Sequence, residues 1–138
     1  MKIARYTFAV ISLTVVTLIN SNLIAQTITW QNTIGGTNDD KLWRAGPTLD
    51  GGTFCVGFSK SGIGGDKTEA AVGVGLMDYW VMKLDATGNI VWQNTIGGSK
   101  DDFCLDGHAT SDGGYILAGH SKSNISGDKT ENSNGGFD

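Results

Sequence analysis

The residues best placed to do chemistry are acidic. Asp39, Asp40, Asp66 and Glu69 recur as Asp101, Asp102, Asp128 and Glu131, all in glycine-rich surroundings. Carboxylates gathered on flexible loops suit calcium, which accepts many oxygen ligands at tolerant geometry. These eight residues are therefore the candidates for structural Ca²⁺ sites. The spacing matches no named motif, because GIGGDKTEA (residues 62–70) supplies neither an EF-hand loop nor the Gly-Asp nonapeptide of calcium-binding β-rolls. Aspartates that shape turns explain the same residues and are the preferred reading, with no cofactor required.

Other constellations are weaker. His108 and His120 would make a metal pair or an acid/base couple only if they met. A two-residue loop at Asp112-Gly113 would place them on opposite faces of a hairpin. Cys55 and Cys104 are the only cysteines; they are either buried free thiols or a disulfide between repeat units. Nucleophilic catalysis finds no support: G-x-S-x-G, H-E-x-x-H and C-x-x-C are all absent. No catalytic residue is assigned, and a non-enzyme is expected. The tryptophans Trp30, Trp43, Trp80 and Trp92 read as core rather than as a sugar-stacking platform.

These residues must be positioned by a repeat. WQNTIGG stands at Trp30–Gly36 and again at Trp92–Gly98. The same displacement of 62 residues superposes Asp50-Gly51-Gly52 on Asp112-Gly113-Gly114 and Ser59-Lys60-Ser61 on Ser121-Lys122-Ser123. It also carries Gly65–Glu69 onto Gly127–Glu131. More than half of the positions from Trp30 to Glu69 are identical to their partners. Such a period marks an architecture whose units bury their apolar faces against one another.

Each period holds four strand-like runs. The first is Thr27–Ile34, with Ile28, Trp30, Asn32 and Ile34 alternating onto one face, copied at Ile90–Ile96. Leu42–Thr48 and Cys104–Thr110 form the second pair, and Thr53–Ser59 and Tyr115–Ser121 the third. Asp-Gly between these runs signals hairpins. Asp78–Leu84 is the fourth run, followed by the loop Asp85–Asn89. No stretch after residue 25 carries helical spacing. The expected fold is all-β: four-stranded antiparallel repeat units, β-propeller-like, about two in number with the second incomplete. Unit one spans residues 26–87 and unit two residues 88–138. An open β-array or sandwich is the alternative.

Residues 1–25 read separately. Lys2 and Arg5 precede an apolar run ending at Ile19, and Ala25 offers a cleavage point: the layout of a signal peptide. Without them the net charge of −4 becomes about −6. An acidic, glycine-rich chain argues against nucleic acid or an anionic membrane as partner. No later stretch is long and apolar enough to span a bilayer as a helix. Secretion or display at the cell surface is expected.

The text DYWVMKLDATGNIVWQNTIGGSKDDFCLDGHATSDGGYILAGHS, from Asp78 to Ser121, resembles the repeats of secreted Bacteroidetes-type β-propeller-repeat proteins. The resemblance extends over essentially all of residues 26–138. It implies export, with the type IX route one such group uses, and a propeller-like fold; it transfers no catalytic set. Two departures stand out. A C-terminal sorting domain is missing, and Gly136-Phe137-Asp138 stops where the second YWVMKL strand should begin, as a fragment of a longer array would. The functional expectation is a non-enzymatic exported module that binds a protein or glycan at the cell surface or serves as a scaffold. A carbohydrate-binding module accessory to polysaccharide breakdown is the alternative, and unclosed blades imply self-association.

Overall fold

The computed structural model describes residues 27–138, and the expected signal peptide at residues 1–25 lies outside them. Six strands are present among the described residues: β1 (Asp40–Pro47), β2 (Thr53–Ser59), β3 (Asp78–Leu84), β4 (Ile90–Ile96), β5 (Asp102–Ala109) and β6 (Tyr115–Ser121). They form two antiparallel sheets, one of four strands in the order β1-β2-β3-β4 and one of two strands, β5-β6. No helix occurs among the described residues, and neither sheet closes on itself. The chain is all-β.

Alternation of side chains sets what each sheet buries. Phe54, Val56 and Val81 project from one face of the four-stranded sheet and enclose Cys104, with Trp92, Ile96 and Leu117 around them. Cys55, Trp80, Met82 and Leu84 project from the other face, joined by Ile34 and Ile90. The β5-β6 sheet therefore lies on the first of these faces. Rings reinforce the contact: Tyr115 of β6 meets Phe54 at 4.4 Å and Trp92 at 5.1 Å.

The hairpins are three-residue loops rather than two-residue turns. Thr48 and Gly52 pair across Leu49-Asp50-Gly51, and Gly51 takes the left-handed conformation at φ 82° that this loop requires. Thr110–Gly114 and Asp85–Asn89 repeat the arrangement. A further irregularity recurs: the register shifts between Leu42 and Arg44 in β1, and between Cys104 and Asp106 in β5. Trp43 and Leu105 are the extra residues of these equivalent bulges.

Two strand expectations need correction. Thr27–Ile34 is not a strand, although its copy β4 is. β4 is ordered by pairing with β3, whereas no strand lies beside Thr27–Ile34 among the described residues. An isolated segment has no ladder to satisfy its backbone, so the same sequence gives different secondary structure. The second correction is phase. The four-stranded sheet takes three strands from residues 26–87 and its fourth, β4, from residues 88–138. Strands β1 and β5 also begin two residues earlier than expected, at Asp40 and Asp102.

Candidate functional site

The candidate carboxylates are clasps for the Gly-Gly loops. Asp40 accepts a 2.6 Å hydrogen bond from the Gly36 N–H and bonds from the hydroxyls of Ser59 and Ser61. In the second unit Asp102 accepts the Gly98 N–H at 2.6 Å and the Ser123 hydroxyl at 2.9 Å. Asp66 closes the same loop from the other side, accepting the Gly35 N–H at 3.1 Å and donating its own N–H to the Gly35 carbonyl. Asp128 does this at Gly97, at 3.2 Å. The second glycine must be glycine: a Cβ at Gly36 would lie 2.3 Å from the Ser61 Cβ, and one at Gly98 2.5 Å from the Ser123 Cβ. WQNTIGG, the Asp pairs, Ser-Lys-Ser and Gly-Asp-Lys are thus parts of one recurring knot.

The remaining candidates scatter around it. Glu69 accepts the Thr95 N–H at 2.6 Å, and Asp101 accepts the Met77 N–H at 3.2 Å and pairs with Lys122 at 3.6 Å. Asp39 and Glu131 are exposed. Among the described residues, no three His, Cys, Asp or Glu side chains gather as a group able to hold a metal ion. Asp40, Asp66, Asp102 and Asp128 each accept from N–H or O–H donors instead, the environment a turn carboxylate needs.

A buried charge cluster that the sequence reading did not single out joins the two units. Lys67 is 1 % exposed; its ammonium donates to the Thr95 hydroxyl and lies 5.5 Å from the centre of the Trp80 ring. Burial holds its pKa below the usual lysine range, against the upward pull of Glu69, Asp78 and Asp40. Asp78, wholly buried, accepts the Val72 N–H at 2.6 Å through Oδ2, while its Oδ1 has no partner. Asp102 likewise has a buried, unpartnered Oδ1. Both carboxylates border Gly97, where a Cβ would meet Asp78 Oδ1 at 2.1 Å and Asp102 Oδ2 at 3.0 Å. Desolvation first, and the Asp102 charge as well, push the Asp78 pKa up to about 6. The signal was in the repeat: Ser59, Ser61 and Lys67 recur as Ser121, Ser123 and Lys129, and Lys129 donates to Ser121 at 3.0 Å. Asp138 and Ser121 exchange both backbone bonds, at 2.9 and 3.1 Å, as Asp78 pairs with Ser59.

The cysteines cannot bridge, since Cys55 belongs to the cluster on one face of the large sheet and Cys104 to the cluster on the other. Both are buried free thiols, and burial raises both pKa values, that of Cys104 to about 11. The histidines share a face rather than opposing one another. The three-residue loop pairs His108 with Ile116, four residues before His120 on the same strand. Each has its own neighbours: His108 lies 3.4 Å from Asp106, and His120 packs on Phe137 at 4.4 Å. Trp43 is not core but 57 % exposed, because the bulge turns it out of the alternation. Trp30 is 39 % exposed, while Trp80 is buried and Trp92 packs between the sheets.

An apolar groove of about 300 Å³ opens on the far face of the large sheet, lined chiefly by Trp30, Ile34, Leu42, Cys55, Trp80 and Met82. Comparison with known proteins returned no match to a family model, to a curated protein or to a solved structure.

Proposed function

We propose that the chain is a non-enzymatic, exported, β-propeller-like repeat module that acts by surface binding or as a scaffold. The observation that carries this reading is the recurrence of one whole knot at a displacement of 62 residues. Gly36–Asp40 and Gly98–Asp102 are joined at the same 2.6 Å, and the two knots serve stacked sheets. The repeated Asp40, Asp66, Asp102 and Asp128 are engaged in holding loops, and Asp78 and Lys67 are closed to solvent. An exposed binding surface, not a reaction centre, is what such a framework presents. Export rests on the charged and apolar pattern of residues 1–25. Expression of the full chain in a Gram-negative host tests this: the exported product should start near Gln26. Retention of an uncut chain in the cytoplasm would overturn it.

A second reading, a carbohydrate-binding module, has one observation in its favour. Trp43 is exposed, and Trp30, itself part-exposed, lines the apolar groove. It requires polysaccharide binding that Trp30→Ala or Trp43→Ala abolishes without loss of fold.

A further inference from the structure

We infer that the chain docks head to tail on a second copy of itself, the Ile116–Ala118 face of β6 in one copy covering the Leu42–Ala45 face of β1 in the next. The inference rests on the repeat-module reading above and specifies its surface.

Each sheet has two different faces, and one pairing of unlike faces is already made within the chain. The large sheet presents Phe54, Val56 and Phe58; the small sheet answers with Cys104, Gly107 and Leu117. Moving by the repeat displacement identifies the faces left over. The counterparts of Cys104, Gly107 and Leu117 are Leu42, Ala45 and Cys55, on the open groove side of the large sheet. The counterparts of Phe54, Val56 and Phe58 are Ile116, Ala118 and His120, on the side of β6 turned away from the large sheet. Leu42 is 66 % exposed and Ile116 61 % exposed. Among the described residues nothing covers Leu42 and Ala45 on one face or Ile116 and Ala118 on the other, and these are equivalents of positions that fit together within the chain.

Their side chains have changed in a compensating way. Gly107 must lack a Cβ because that atom would lie 2.6 Å from Cγ1 of Val56. At the free faces the glycine is replaced by Ala45, which carries the Cβ, and the valine by Ala118, which has no γ-carbon to meet it. The pair is one carbon smaller in total, so the Ala45 Cβ has room against Ala118 where a Cβ at Gly107 has none against Val56. Thr27–Ile34 does not block the approach. Ile34 packs on Cys55 and Trp80 as Ile96 packs on the inter-sheet cluster, leaving Leu42 and Ala45 open beside it. Because unlike faces meet, the contact is heterologous: it closes into a ring if the rotation permits, and otherwise grows as a filament.

Light scattering on a sizing column tests this with the chain beginning at Gln26. Between about 1 and 100 µM the apparent mass should climb beyond one chain, as mass action demands. Leu42→Asp and Ile116→Asp should each be monomeric alone. Mixed in equal amounts they should give a dimer and nothing larger, since each retains the face the other has lost. A wild-type chain that stays monomeric overturns the proposal, as does a Leu42→Asp variant that still assembles or a mixture that does not dimerise. Polysaccharide bound in the groove of a monomer would also overturn it. The same samples are melted by circular dichroism. A monomer with a cooperative transition refutes the docking alone, whereas absence of any cooperative transition refutes the stacked-repeat reading together with it.

Discussion

Asp78→Asn isolates the energetic consequence of the buried cluster. The Asp78 carboxyl has its pKa moved from 3.8 to about 6, by burial first and by Asp102 second. Below 3.8 it is protonated in both folded and unfolded chains and adds nothing to the pH dependence. Between these values the unfolded chain releases the proton and the folded chain keeps it, so stability falls as pH rises. Above about 6 the folded chain carries the full cost of a buried charge. A displacement of about two pH units corresponds to about 3 kcal/mol. Asparagine keeps a carbonyl oxygen for the Val72 N–H and puts an uncharged amide where the unpartnered Asp78 Oδ1 stands. Urea unfolding followed by tryptophan fluorescence, from about pH 4 to about pH 8, gives the stability difference between variant and wild type. Groups unaffected by the substitution cancel in that difference. The variant should be nearly as stable as wild type at low pH and should gain on it by up to about 3 kcal/mol toward pH 8. A difference that does not change with pH, or that moves against the variant as pH rises, would refute the reasoning.

Three further outcomes follow from particular contacts. Gly57→Ala should destabilise by roughly 3 kcal/mol, the upper end for overpacking, because its Cβ would lie 1.9 Å from the Lys41 carbonyl oxygen. Gly46→Ala, with nothing within 4 Å, should stay within about 0.5 kcal/mol of wild type by the same unfolding assay. Trp92→Ala should cost about 3 kcal/mol, the lower end of the range for aromatic truncation, since the part-buried ring joins Phe54 and Tyr115 across the sheets. Trp30→Ala, at the same repeat position but part-exposed, should cost about 1.5 kcal/mol or less; equal costs would contradict the placement of Thr27–Ile34. Both thiols should ignore a thiol-reactive dye at about pH 8 and react as two free groups in urea. A disulfide found by mass spectrometry would contradict their separation onto opposite faces.

Much of the strand framework was legible because burial on a pleated sheet writes itself as alternation. Thr53–Ser59, Asp78–Leu84, Ile90–Ile96 and Tyr115–Ser121 fall where the pattern places them. What failed depends on neighbours rather than on local sequence. Thr27–Ile34 repeats β4 nearly letter for letter, but only β4 has a strand beside it. Trp43 looks like a core residue until the bulge beside it is known. The acidic residues were visible; their task was not, because it depends on serine hydroxyls and backbone N–H groups about twenty to thirty residues away for most of them. Lys67 and Asp78 were the least readable. Their burial comes from the packing of one unit on the next, and composition alone places such residues at the surface.

The central claim is that one repeat unit stacks on the next through the Val56 face of the large sheet. The most direct test is a nuclear Overhauser measurement on isotope-labelled protein between the Gly107 α-protons and the Val56 methyl groups. Gly107 approaches so closely that a Cβ there would lie 2.6 Å from Val56 Cγ1. A strong cross-peak is expected, accompanied by one between the Tyr115 ring and the Phe54 ring, whose centres are 4.4 Å apart. A folded chain that shows the contacts within each sheet but neither of these would contradict it.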